Sequence, residues 1–153
     1  MTGTECVNKF HDLVEELIQL NHEHRKMYFN RTYPLITFFK EFCIVKIDCG
    51  RQIGKTEYIR SHATNEDLII VPHGRDQSGY NYDATYDKLN IIRMKDVFQT
   101  TLIADRRYNT IYVDEIVSCQ GSMRHDLGTY NIITNQIYDN YIRDEQQTLV
   151  LFG

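Results

Sequence analysis

Two stretches of this chain carry the residue types that phosphoryl chemistry needs. The first is Asp48-Cys49-Gly50-Arg51-Gln52-Ile53-Gly54-Lys55-Thr56-Glu57. Glycines let a chain turn so that successive N–H groups face inward and bind phosphate oxygens, and a helix starting at the lysine adds positive potential. In such a loop Lys55 would reach the outer phosphates of a nucleoside triphosphate, and the Thr56 hydroxyl would ligate Mg²⁺. The second stretch is Thr110-Ile111-Tyr112-Val113-Asp114-Glu115, an apolar run that ends in two acids. Asp114 would hold the metal through its water shell, and Glu115 would polarise the water that attacks the terminal phosphate.

Each half has a plainer reading by itself. A Gly-Lys-Thr triplet before a helix also occurs as a structural turn, and an Asp-Glu pair after a strand also occurs as a solvated acidic turn. The two together, in this order, point to a nucleotide. The spacing departs from the usual G-x-x-x-x-G-K-[ST], because only Arg51, Gln52 and Ile53 separate Gly50 from Gly54, so the usual first glycine falls on Cys49. That cysteine, at a phosphate loop, is a candidate reactive thiol, yet a small loop-filling role suits it better.

Elements must bring these stretches together. Phe42–Ile47 is a short, nearly continuous apolar run, as are Leu68–Val71, Leu89–Met94, Thr110–Val113 and Thr148–Phe152. Runs of this kind suit strands buried on both faces of a parallel sheet. Between them Lys55–His62, Lys95–Asp105 and Ser122–Arg143 are compatible with helices, so strand alternates with helix and the expected class is α/β. Residues 5 to 29 read as an amphipathic helix, with Val7, Phe10, Val14, Leu17 and Ile18 at helical spacing and a capping box at Thr2-x-x-Glu5. It would pack on the core or act as a lid. Pro34 closes an irregular stretch, and His73 to Lys88, rich in Gly, Asp and Tyr, reads as a long surface loop.

The bulk properties agree with one domain. The chain has 153 residues, 42% of them apolar, enough for a single core. With 17 basic and 21 acidic side chains the net charge is -4, so no global positive field draws it to nucleic acid or anionic lipid. Its four cysteines, Cys6, Cys43, Cys49 and Cys119, are scattered, which fits reduced thiols in a cytoplasmic setting. No signal pattern and no membrane-spanning run is present.

The Gly50–Thr56 stretch resembles the deviant phosphate loop of phage terminase large subunits, the DNA-packaging ATPases, in which an R-Q-x-G-K-[ST] form replaces the standard Walker A spacing. The acidic strand stands in the place of their Walker B motif. The resemblance covers roughly residues 30 to 153 and is topological in its middle part. It implies a three-layer P-loop NTPase core with a mostly parallel sheet and an N-terminal helix, ending after the fourth core strand. Residues 1–30 would form the helix and 42–153 the nucleotide-binding core. It also implies that Arg51 acts as an arginine finger in cis; the plainer alternative is a surface arginine paired with a carboxylate. Related ATPases contact adenine upstream of the loop, where Tyr33 would stack on the base or serve as a core aromatic. Thr148–Gly153 resembles the strand that precedes a polar γ-phosphate sensor, but the sensor residues, a fifth core strand and a nuclease domain do not follow in this sequence.

Weaker signals are local. His11, His22 and His24 with Cys6 match no zinc spacing, and exposed histidines are expected. His73, Arg75, Tyr80, Tyr82 and Tyr86 could grip nucleic acid, although the loop's Asp residues favour plain solvation. Arg106 and Arg107 read as surface charge.

The expected activity is Mg²⁺-dependent binding and hydrolysis of ATP, with Lys55, Arg51 and Glu115 catalytic. Residues 49–57 and Tyr33 would bind nucleotide, and Thr56 and Asp114 the metal. The expected partners are double-stranded DNA, other phage packaging proteins and further copies of the chain, in the host cytoplasm. A nucleoside or nucleotide kinase and a non-hydrolysing, nucleotide-responsive assembly module are the alternatives.

Overall fold

A computed structural model describes residues 1–29, 32–50, 53–71, 89–99, 106–114 and 127–153, with only the backbone described at 99 and 127–129. The first helix, α1, runs Gly3–Lys26. Its capping box forms as expected, the Glu5 N–H donating to Thr2 Oγ1 at 3.2 Å and the Thr2 N–H to Glu5 Oε2 at 2.6 Å. A second helix, α2 (Leu35–Phe42), fills the interval between Pro34 and the first expected strand and takes Phe42 from that strand. Leu35, Phe38, Phe39 and Phe42 fall at i, i+3, i+4 and i+7, an apolar helical stripe, and Pro34 precedes it where a fixed φ costs nothing. The strand after it is therefore shorter than expected: β1 is Ile44–Ile47.

The remaining elements follow as α3 (Lys55–His62), β2 (Leu68–Val71), β3 (Asn90–Arg93), α4 (Met94–Gln99), β4 (Thr110–Val113), α5 (Leu127–Tyr141) and β5 (Thr148–Phe152). Residues 100–105 and 122–126 of the helices expected at 95–105 and 122–143, and the tyrosine-bearing loop at 73–88, lie outside the described residues, while the later helix ends at Tyr141, two residues short of the expected Arg143.

The five strands form one sheet in the order β1-β5-β4-β2-β3, and every pairing is parallel. The parallel sheet expected from the apolar runs is present, and among the described residues Thr148–Phe152 is its fifth strand in chain order. It does not extend an edge but inserts between β1 and β4, with Val150 facing Val45 on one side and Tyr112 on the other.

Strand periodicity then divides the core in two. Leu68, Ile70, Ile111, Val113, Leu149 and Leu151 face α2, α4 and α5, packing on Phe38, Phe39, Met94, Val97, Ile133 and Ile137. Val45, Ile47, Ile69, Val71, Tyr112, Val150 and Phe152 face α1 and α3, packing on Phe10, Val14, Tyr58 and Ile59. Helices cover both faces, so the fold is a three-layer α/β arrangement. Among the described residues no helix is long and apolar enough to cross a membrane.

Candidate functional site

The carboxyl edge of the sheet is where the two chemical stretches meet. In open parallel sheets this edge is where ligands bind, since the strands end there and the following loops and helix N-termini converge. β1 ends at Ile47 and leads through Asp48, Cys49 and Gly50 into the glycine loop, while β4 ends at Val113 and delivers Asp114. Between them lies the end of β5.

Local backbone geometry builds the loop. Gly50 has φ +77° and Gly54 φ +98°, left-handed conformations that a side chain would resist. Gly54 then caps α3, its carbonyl accepting the Tyr58 N–H at 2.8 Å. The helix starts at Lys55, so the N–H groups of its first turn have no intrahelical acceptor. Cys49 and Gly50 are exposed, Ile53 is half-buried, and Glu57 stands in the first turn at 3.6 Å from Arg60. Arg51, Gln52 and Glu115 lie outside the described residues.

Thr56 and Asp114 are in direct contact. The Thr56 hydroxyl donates to Asp114 Oδ2 at 2.8 Å across 58 residues of chain. Asp114 is 5% exposed, and its N–H extends the sheet pattern by donating to the Ile70 carbonyl at 3.0 Å. Lys55 is only 7% exposed. A buried ammonium needs compensation, and here Nζ donates to the Gly153 carbonyl just past β5. The Gly153 N–H in turn donates to the Ile47 carbonyl at 2.8 Å. A Cβ placed on Gly153 would lie 3.0 Å from Asp48 Cγ, so the ends of β1 and β5 are in close contact.

The Lys55 ammonium is held at the end of β5, between β1 and β4, and two hard oxygen donors from separate elements suit Mg²⁺. That ion takes one or two protein oxygens and completes its shell with phosphates and water. Among the described residues no group of three or more His, Cys, Asp or Glu side chains could hold a metal unaided, and the histidines of α1 are not such a group.

Those histidines are less exposed than expected. His11 is half-buried with Nε2 at 3.0 Å from the Gly54 carbonyl, and His22 is half-buried with Nε2 at 3.0 Å from Thr148 Oγ1. Burial, then the charges of Arg25 and Lys26, lowers the His22 pKa below the ordinary histidine value. Only His24 is exposed, edge-on to Tyr28. A periodicity reading had a signal for His11, because Val7, Phe10, His11 and Val14 share one helical stripe.

Tyr33 lies edge-on to Phe42 with ring centroids 5.8 Å apart, in the aromatic cluster where α1 ends and α2 begins. Arg107 pairs with Asp144, and Arg106 donates to the Asn65 carbonyl at 2.6 Å, so both serve contacts within the molecule. No family model matches this chain, and neither does a curated protein or a solved structure.

Proposed function

We propose that the chain binds ATP with Mg²⁺ at this edge and hydrolyses it, as a terminase-like ATPase whose turnover serves DNA packaging or translocation. The observation that carries the nucleotide reading is the 2.8 Å contact between Thr56 and Asp114, with the Lys55 ammonium bonded at the end of β5, between β1 and β4. A phosphate-binding loop and a metal-binding acid work together only if the fold joins them, and the contact between Thr56 and Asp114 supports that reading. The DNA role rests on the loop's resemblance to packaging ATPases.

In this reading the loop's N–H groups and the N-terminus of α3 orient the phosphates. Lys55 exchanges the Gly153 carbonyl for phosphate oxygens and offsets charge that builds on the transferring group. Thr56 and Asp114 hold Mg²⁺, which when bound supplies further charge neutralisation at the phosphates. Glu115, the residue after Asp114, aligns the attacking water and accepts its proton. Arg51 contributes charge from within the loop.

Steady-state phosphate release from ATP and GTP, with and without DNA, tests the assignment. Lys55→Ala is expected to weaken nucleotide binding, and Glu115→Gln to keep binding while kcat falls by about 10²–10⁴-fold. Nucleoside-dependent ADP formation without free phosphate would turn the reading to a kinase. Equal turnover by all three proteins would end the site assignment.

A further inference from the structure

The site described so far uses the loop, α3 and the strand ends, yet α1 touches it as well. A Cβ added at Gly54 would meet Val7 Cγ1 at 2.9 Å and His11 Nε2 at 3.3 Å, so α1 is packed directly on the loop's second glycine. His11 Nε2 lies 3.0 Å from the Gly54 carbonyl, a bond spanning 43 residues. A carbonyl can only accept, so Nε2 carries the proton.

The orientation this imposes matters at the next atom. In a trans peptide the C=O and the following N–H point in opposite directions, and the structure contains no cis peptide among its described residues. Holding the Gly54 carbonyl toward α1 therefore turns the Lys55 N–H away from α1. A glycine at φ +98° has little steric preference of its own, so the direction of that peptide depends on what grips it. The Tyr58 N–H supplies one grip from within α3 and His11 supplies the other from outside.

We propose that α1 forms one wall of the nucleotide site and that His11 is a positioning residue, setting the Gly54–Lys55 peptide so that the Lys55 N–H faces bound phosphate. The proposal rests on the nucleotide reading above. It is distinct from general packing, because a second bridge between the same helices lies one turn further on and is made by side chains: the Tyr58 hydroxyl donates to Glu15, which also faces His62 Nε2 at 3.5 Å. The Tyr58 ring lies edge-on to His11 with centroids 5.4 Å apart, so Glu15 is the end at which this bridge can be removed separately.

Three variants separate these roles: His11→Ala, His11→Gln, whose amide can donate from about the same position, and Glu15→Ala, which removes the second bridge from its far end. The measurements are equilibrium binding of a non-hydrolysable ATP analogue, the split between KM and kcat, and the melting temperature. His11→Ala is expected to weaken nucleotide binding roughly three- to tenfold, the size of one hydrogen bond, through KM more than kcat. His11→Gln should recover to within about twofold of wild type, and Glu15→Ala should lower the melting temperature while leaving nucleotide affinity unchanged. Unchanged binding by His11→Ala, or equal weakening by Glu15→Ala, overturns the positioning role alone. A wild-type protein that binds no nucleotide overturns the site assignment and this role with it.

Discussion

At the scale of single residues, the glycine loop shows how conformation and packing restrict the same position twice. Gly54 sits at φ +98° beneath Val7, so a methyl there meets both backbone strain and a side chain 2.9 Å away. Gly54→Ala is expected to cost about 1–3 kcal/mol and to weaken nucleotide binding. Adding Val7→Ala should recover the steric part of the stability loss but not the part due to φ. Urea unfolding of the single and double variants measures both, and full recovery in the double variant would mean that backbone strain contributes nothing. Much of this site was legible in sequence: Lys55, Thr56 and Asp114 stand out because strand-turn-helix and strand-acid patterns are local. The Gly153 carbonyl was not, since any residue can offer one. Neither was the His11–Gly54 contact, which exists only once α1 has docked on the sheet.

At the scale of elements, four strands and α3 are readable from apolar runs and from the glycines, to within a residue or so at each end. α2 was obscured because Phe42 closes a helical stripe and also touches the apolar run of β1, and period alone assigns such a residue to either element. The starts of β4 and β5 are tied at the opposite, amino edge of the sheet. There Arg107 pairs with Asp144, and the Gln147 amide donates to the Tyr108 and Tyr141 carbonyls at 2.8 Å each. The hydrogen bond from Arg107 is the main cause that holds the Asp144 carboxyl below its ordinary pKa, helped by the Gln146 N–H. The folded protein thus binds the carboxylate form more strongly than the unfolded chain does. The resulting stability is fully present above the ordinary aspartate range and is lost as pH falls through the depressed value. Since both side chains are partly exposed, Asp144→Asn should cost no more than about 1 kcal/mol at neutral pH. Urea melts across an acid series should show the gap between the two proteins closing in strong acid. A gap independent of pH would mean that the carboxylate charge is not the source.

At the scale of the whole molecule, the placement of β5 organises the rest. By entering between β1 and β4 it holds the glycine loop and Asp114 one strand apart, close enough for Thr56 to span the interval while Lys55 rests on the strand's end. The class and the parallel sheet followed from alternating strand and helix patterns. The order of the strands did not, because parallel partners are joined by long crossovers whose destination no local pattern specifies. The central claim is that the loop and the acidic strand form a single metal and phosphate site. It is tested most directly by following Mn²⁺, in place of Mg²⁺, through its EPR signal as it binds together with a non-hydrolysable ATP analogue. The account predicts joint binding by the wild-type protein and a loss of metal affinity of about 10–100-fold in both Thr56→Ala and Asp114→Asn. Metal and nucleotide bound as tightly by both variants as by wild type would contradict it.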